Sequence, residues 1–74
     1  MKIKQLASNM TEVTANGVSV LFSYNTPVAG WDGDGPFRTV QYYSKTTTNH
    51  INKYLGKGVG RAAAQSYIDS LLTS

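Results

Sequence analysis

The 74-residue sequence contains no cysteine. Disulfide staples and thiolate metal sites are excluded, and a reducing cytosol is the expected compartment. There is one histidine, His50, and there are four carboxylates. Acid–base and nucleophilic chemistry needs convergent titratable groups, and this spacing suggests none. Glu12 falls on a hairpin face, Asp69 on the outer side of a helix, and Asp32 and Asp34 share one turn. That turn, Asp32-Gly33-Asp34-Gly35, has the spacing that opens a calcium loop, but no Glu follows Asp34 to complete the ligand set. It reads as a polar hairpin tip. We expect no catalytic residues, no metal and no cofactor. Long apolar runs are also missing. Nothing approaches the roughly 20 residues a membrane span needs, and the basic start Met1-Lys2-Ile3-Lys4 precedes no signal-peptide core.

The positive charge is unevenly placed. Over residues 1–44, Lys2, Lys4 and Arg38 balance Glu12, Asp32 and Asp34, while over residues 45–74, Lys45, Lys53, Lys57 and Arg61 face Asp69 alone. The net +3 therefore sits in the last third. Such a field suits an anionic partner, or it is the solvated face of a helix. A chain of this length supports one domain with a thin core, burying roughly 60% of its unfolded surface.

The clearest local signal is Asn16-Gly17, suited to a two-residue type I′ turn. Folding there pairs Ala15 with Val18, Val13 with Val20 and Thr11 with Phe22 on an apolar face. Thr14 with Ser19 and Glu12 with Leu21 fall on the other, largely polar face. Pro27 removes a ladder donor and marks a bend or a sheet edge. A short strand at 28–31 and a returning strand at 37–43, rich in β-branched and aromatic residues, complete a meander. Helical spacing begins after Ser44. Thr46, Thr47 and Thr48 offer caps, Ile51, Tyr54 and Leu55 share a face, and Gly56 ends the helix. Beyond the glycines, Ala64, Tyr67, Ile68, Leu71 and Leu72 trace a second apolar stripe. The expected fold is α+β. An antiparallel meander of about four strands over residues 3–43, with residues 3–6 as an edge segment, is followed by two short helices at 46–55 and 61–72. Both helices pack on one face of the sheet.

Two surfaces stand out. Trp31, Phe37, Tyr42 and Tyr43 cluster about the second hairpin, and aromatic residues are enriched at binding hot spots. The other role open to them is core packing. Gly56-Lys57-Gly58-Val59-Gly60-Arg61 frees the backbone for close approach and flanks it with cations, ahead of an expected helix amino terminus that suits a phosphate. The plainer role is a cap followed by a chain reversal. Gly58-Val59-Gly60, with Ala64 at the small position and Leu55 and Ile68 at flanking apolar sites, resembles a helix-hairpin-helix DNA-binding motif. The resemblance departs where Gly56-Lys57 replaces the usual proline. It implies phosphate contact at Gly58, Val59, Gly60 and Arg61. From the basic final third, Lys45, Lys53 and Lys57 are further candidate nucleic-acid contacts.

A second resemblance rests on Leu21-Phe22-Ser23-Tyr24-Asn25-Thr26-Pro27-Val28-Ala29, Ser44-Lys45-Thr46-Thr47 and His50-Ile51-Asn52-Lys53-Tyr54-Leu55. These segments resemble a family of small uncharacterised bacteriophage proteins. The resemblance implies a non-catalytic accessory protein in the cytoplasm of an infected bacterial host, where it binds and modulates a host or defence protein. The alternative expectation is a module that binds nucleic acid through the glycine joint and the basic final third.

Overall fold

The computed structural model describes residues 2–71. Within them lie β1 (Lys2–Ala7), β2 (Met10–Ala15), β3 (Val18–Ser23), β4 (Thr26–Asp32), β5 (Gly35–Thr39), α1 (Lys45–Leu55), β6 (Arg61–Ala63) and α2 (Gln65–Ser70). The six strands form one sheet in sequence order. The class is α+β, as the patterning predicts. The first five strands run antiparallel, and each of the four hairpins turns through two residues. Asn16 and Gly17 take φ of 54° and 79°, both positive as a type I′ turn requires. That turn sets the expected register of Ala15 with Val18, Val13 with Val20 and Thr11 with Phe22.

Pro27 sits inside β4 where the ladder to β3 slips. Leu21 pairs with Ala29 and Phe22 with Pro27, so Val28 is the extra residue of a bulge. A bulge is one of the few places in an inner strand where a missing N–H is tolerated. Gly30, opposite both Val20 and Phe37, leaves no room for a side chain. A Cβ there would meet the Ser19 carbonyl oxygen at 2.0 Å and the Phe37 ring at 2.8 Å.

The sheet is covered on both faces rather than one. Val20 and Leu21 are adjacent in β3 and both 0% exposed, so they point to opposite sides. Leu21 joins Met10, Val28, Ala29 and Ile51 of α1, with Tyr54 and Leu55 against them. Val20 joins Phe37, Ala63 and Ile68 of α2, with Phe22 and Leu71 against them. The face expected to be largely polar therefore carries one of the two cores, and α1 lies on it. Glu12 on that face accepts the Tyr54 hydroxyl at 2.5 Å, which satisfies a carboxylate beneath a helix. Each fully buried aliphatic or aromatic side chain is worth about 1.5–3 kcal/mol. Two small clusters thus replace the single core of a one-sided sheet.

Three further boundaries differ from the periodicity. The returning strand ends at Thr39 rather than residue 43. There Thr39 Oγ1 accepts the Gln41 N–H and donates to Gln65 Oε1. Ser44, ahead of the three threonines, caps α1 by accepting the Thr47 N–H. Arg61–Ala63 is a strand parallel to β5, in the register Phe37 with Arg61 and Thr39 with Ala63, and the second helix starts only at Gln65. Leu72, the last residue of the expected stripe, lies outside the described residues.

Replacing Gly30 by alanine is expected to cost about 1–3 kcal/mol or more through overpacking. Gly33→Ala, with nothing within 4 Å of the new methyl, should stay within about 0.5 kcal/mol. Urea unfolding of the two variants checks the contrast.

Candidate functional site

The aromatic surface proposed from composition divides in three. Phe37 is 0% exposed and belongs to the α2-side core. Tyr67 meets its ring edge-on, with centroids 5.9 Å apart, and the Arg61 guanidinium lies 5.7 Å from the ring centre. It is not a surface candidate. Trp31 is exposed near the end of β4, opposite Ser19 and Pro36. Tyr42 and Tyr43 come after the far end of β5, so the hairpin does not bring them together with Trp31. They share the connection to α1 with Val40. Val40 is 65%, Tyr42 71% and Tyr43 40% exposed.

That connection is fixed at both ends. The Val40 N–H donates to Ala63 O at 2.9 Å. Gln65 Nε2 reaches Pro27 O at 2.7 Å while its Oε1 holds Thr39, so α2 fastens the exit of β5. At the other end Ser44 caps α1. Three apolar or aromatic side chains are therefore held in solvent by ordered neighbours.

The glycine joint is arranged differently from a phosphate cradle. Gly56 ends α1, its N–H bonded to Asn52 O, and the Val59 N–H bonds Gly56 O. Arg38, reaching from β5, donates to Val59 O at 2.9 Å and to Gly56 O at 3.1 Å. The joint thus turns two carbonyls to an internal cation and spends two amides on itself. Gly60 leads into β6 and not into a helix, so the helix amino terminus required by the helix-hairpin-helix resemblance is not at that position. The motif is absent because Arg61–Ala63 finds ladder partners on β5.

Arg61 is likewise engaged. Its guanidinium pairs with Asp32, whose carboxylate also accepts the Tyr67 hydroxyl and, through Oδ1, the Asp34 N–H at 2.8 Å. The Asp32 side chain is 6% exposed. The Arg61 hydrogen bond, aided by those of Tyr67 and Asp34, outweighs partial burial and lowers its pKa to about 2. The same carboxylate raises the pKa of Arg61 and of Tyr67. This triad pins the β4–β5 turn to β6 and α2. Lys45, Lys53 and Lys57 are exposed, and among the described residues none of them forms an ion pair.

One grouping the spacing did not suggest joins the end of β3 to α1. Ser23, 2% exposed, has its hydroxyl 2.8 Å from His50 Nδ1 and 3.1 Å from Thr47 Oγ1. Tyr24 takes φ of 58° and places its ring 5.8 Å from that of His50. Among the described residues no carboxylate bonds His50, and the Ser23 hydroxyl is enclosed, so the arrangement ties a strand to a helix. A residue pair separated by 27 positions leaves no periodic trace. Among the described residues there is also no cluster of three or more metal-ligating side chains, and no helix long and apolar enough to cross a membrane. A cavity of about 350 Å³ opens between the first hairpin and α1, lined by Leu6, Ala7, Met10, Lys53 and Tyr54. Burial and the Glu12 carboxylate raise the Tyr54 hydroxyl well above its ordinary pKa.

Taken together, the geometry defines a small α+β sheet domain with a helix on each face. The chain belongs to the family of unknown function DUF8033, whose model matches residues 1–70. No curated protein and no solved structure matches it. The family match takes in the glycine joint and β6 together with the meander.

The Asp32 pKa lies below its value of 3.8 in an unfolded chain. Its contribution to stability is therefore complete above pH 3.8 and is lost as the pH falls toward 2. Asp32→Asn should lower the melting temperature at neutral pH. The gap from wild type should close across that acid window, as followed by circular dichroism.

Proposed function

We propose that this chain is a small non-catalytic accessory protein of bacteriophage origin, binding and modulating a host or defence protein in the cytoplasm of the infected bacterium. The contact surface is the segment at residues 40–43. The observation that carries the reading is the exposure of Val40, Tyr42 and Tyr43 between two anchored ends. Rigid aromatic side chains give large contact area at low entropic cost, and tyrosine is enriched at binding hot spots. The phage origin rests on the resemblance of residues 21–29, 44–47 and 50–55. Trp31, at the other end of the β4–β5 hairpin, supplies a separate contact.

Tyr42→Ala and Tyr43→Ala should each weaken a captured complex by about 2 kcal/mol, the scale of a hot spot. Tyr42→Ala should leave stability within about 0.5 kcal/mol, since its side chain is exposed. Affinity capture from bacterial lysate, followed by titration of the recovered partner, tests this. Recovery of the same partners by both variants, with unchanged affinity, would count against the reading.

The alternative is a nucleic-acid-binding module, favoured by the three exposed lysines of α1 and the joint. Gly58, Val59 and Gly60 then contribute position rather than a cradle, and Arg61 is committed to Asp32. Gel shifts with single- and double-stranded nucleic acids at low salt should show a complex. Lys57→Ala should reduce the salt slope by about one. No complex at micromolar protein removes this alternative.

A further inference from the structure

Among the described residues the outermost strand at one end of the sheet, β1, pairs only with β2, and all six of its residues are exposed. An edge strand of this length offers a row of unpaired N–H and C=O groups to another extended chain. At the other edge, β6 is only three residues long.

The side chains of β1 sort by face. Lys2 stands opposite Thr14 and Lys4 opposite Glu12, and Glu12 meets Tyr54 of α1, so both lysines lie on the α1 side. Among the described residues neither forms an ion pair. Ile3 stands opposite Val13 on the reverse face and is 69% exposed. The cavity of Leu6, Ala7, Met10, Lys53 and Tyr54 continues the lysine face and adds a third cation.

We propose that the β1 edge is a strand-addition site for an extended protein segment that alternates acidic and apolar residues. Its backbone extends the ladder, its carboxylates face Lys2 and Lys4, and its apolar side chains cover Ile3. Strand addition takes affinity from main-chain bonds and specificity from alternate side chains. A second copy of this chain fits poorly. Antiparallel pairing of β1 with itself sets the lysines of both copies on adjoining strands, and like charges across a ladder repel. This surface is independent of residues 40–43, which come after β5.

The probe is a short synthetic peptide alternating glutamate and valine, titrated into the labelled full chain by NMR. The amides of Lys2 to Ala7 should shift, with those of residues 40–43 unmoved. Lys2→Gln and Lys4→Gln lie on exposed positions. Each should weaken binding roughly twofold to fivefold, and together about tenfold, from the usual worth of cross-strand charge pairs. A peptide with lysine in place of glutamate should not bind, and N-methylation of alternate amides in the glutamate peptide should abolish the shifts. Four results overturn the proposal: no shift in β1, equal binding of both peptides, undiminished binding after N-methylation, or self-association through β1 in sedimentation. Capture through Tyr42 and Tyr43 should survive the lysine substitutions, which separates the two surfaces.

Discussion

The structure turns on two adjacent residues of β3. Val20 and Leu21 are each completely buried, and strand geometry sends them to opposite faces. A strand buried on both sides obliges the chain to supply cover twice. That cover comes from two separate short elements, α1 and α2. Ile51 of α1 and Ile68 of α2 are the side chains that complete the two clusters. Neither cluster is large enough to hold a domain alone.

The route between the two faces explains the glycine joint. A chain that leaves β5, crosses one face as α1 and then covers the other must pass the edge of the sheet. It does so as β6, which extends the ladder in parallel before α2 turns onto the opposite side. Arg38 holds the joint by two carbonyls, and the Asp32–Arg61–Tyr67 group fastens the next segment to the β4–β5 turn. Part of the positive charge of the final third is therefore structural. Arg61 is spent on the fold, and the cations left in solvent are the lysines of α1 and the joint.

The candidate surfaces arise from the same architecture. Because α2 must reach Phe37, the aromatic run that began in β5 is divided. Phe37 goes inside, while Val40, Tyr42 and Tyr43 leave the sheet and remain exposed between two anchors. At the opposite side, β1 adds little to either cluster and, among the described residues, has no strand beyond it. The two surfaces lie where the cover runs out.

Local chemistry was legible in the sequence. Asn16-Gly17 specified a turn and hence the register of β2 and β3, because positive φ at two consecutive residues admits few alternatives. The α1 stripe with its terminal glycine, the α+β class and the polar tip at Asp32 to Gly35 were readable for similar reasons. The family resemblance drew on residues of β3, β4 and α1, all of which pack together. What the tertiary structure decided was partnership at long range. Arg61-Ala62-Ala63 has helical propensity but takes strand geometry, since β5 offers unpaired backbone groups and propensity is a weak prior against a ladder. Glu12 and Leu21 fell on the largely polar face of the hairpin by pattern, yet α1 lies on that face. Ser23 and His50, or Asp32 and Arg61, meet only because the chain crosses from one face to the other, and no spacing within a single element encodes such a crossing.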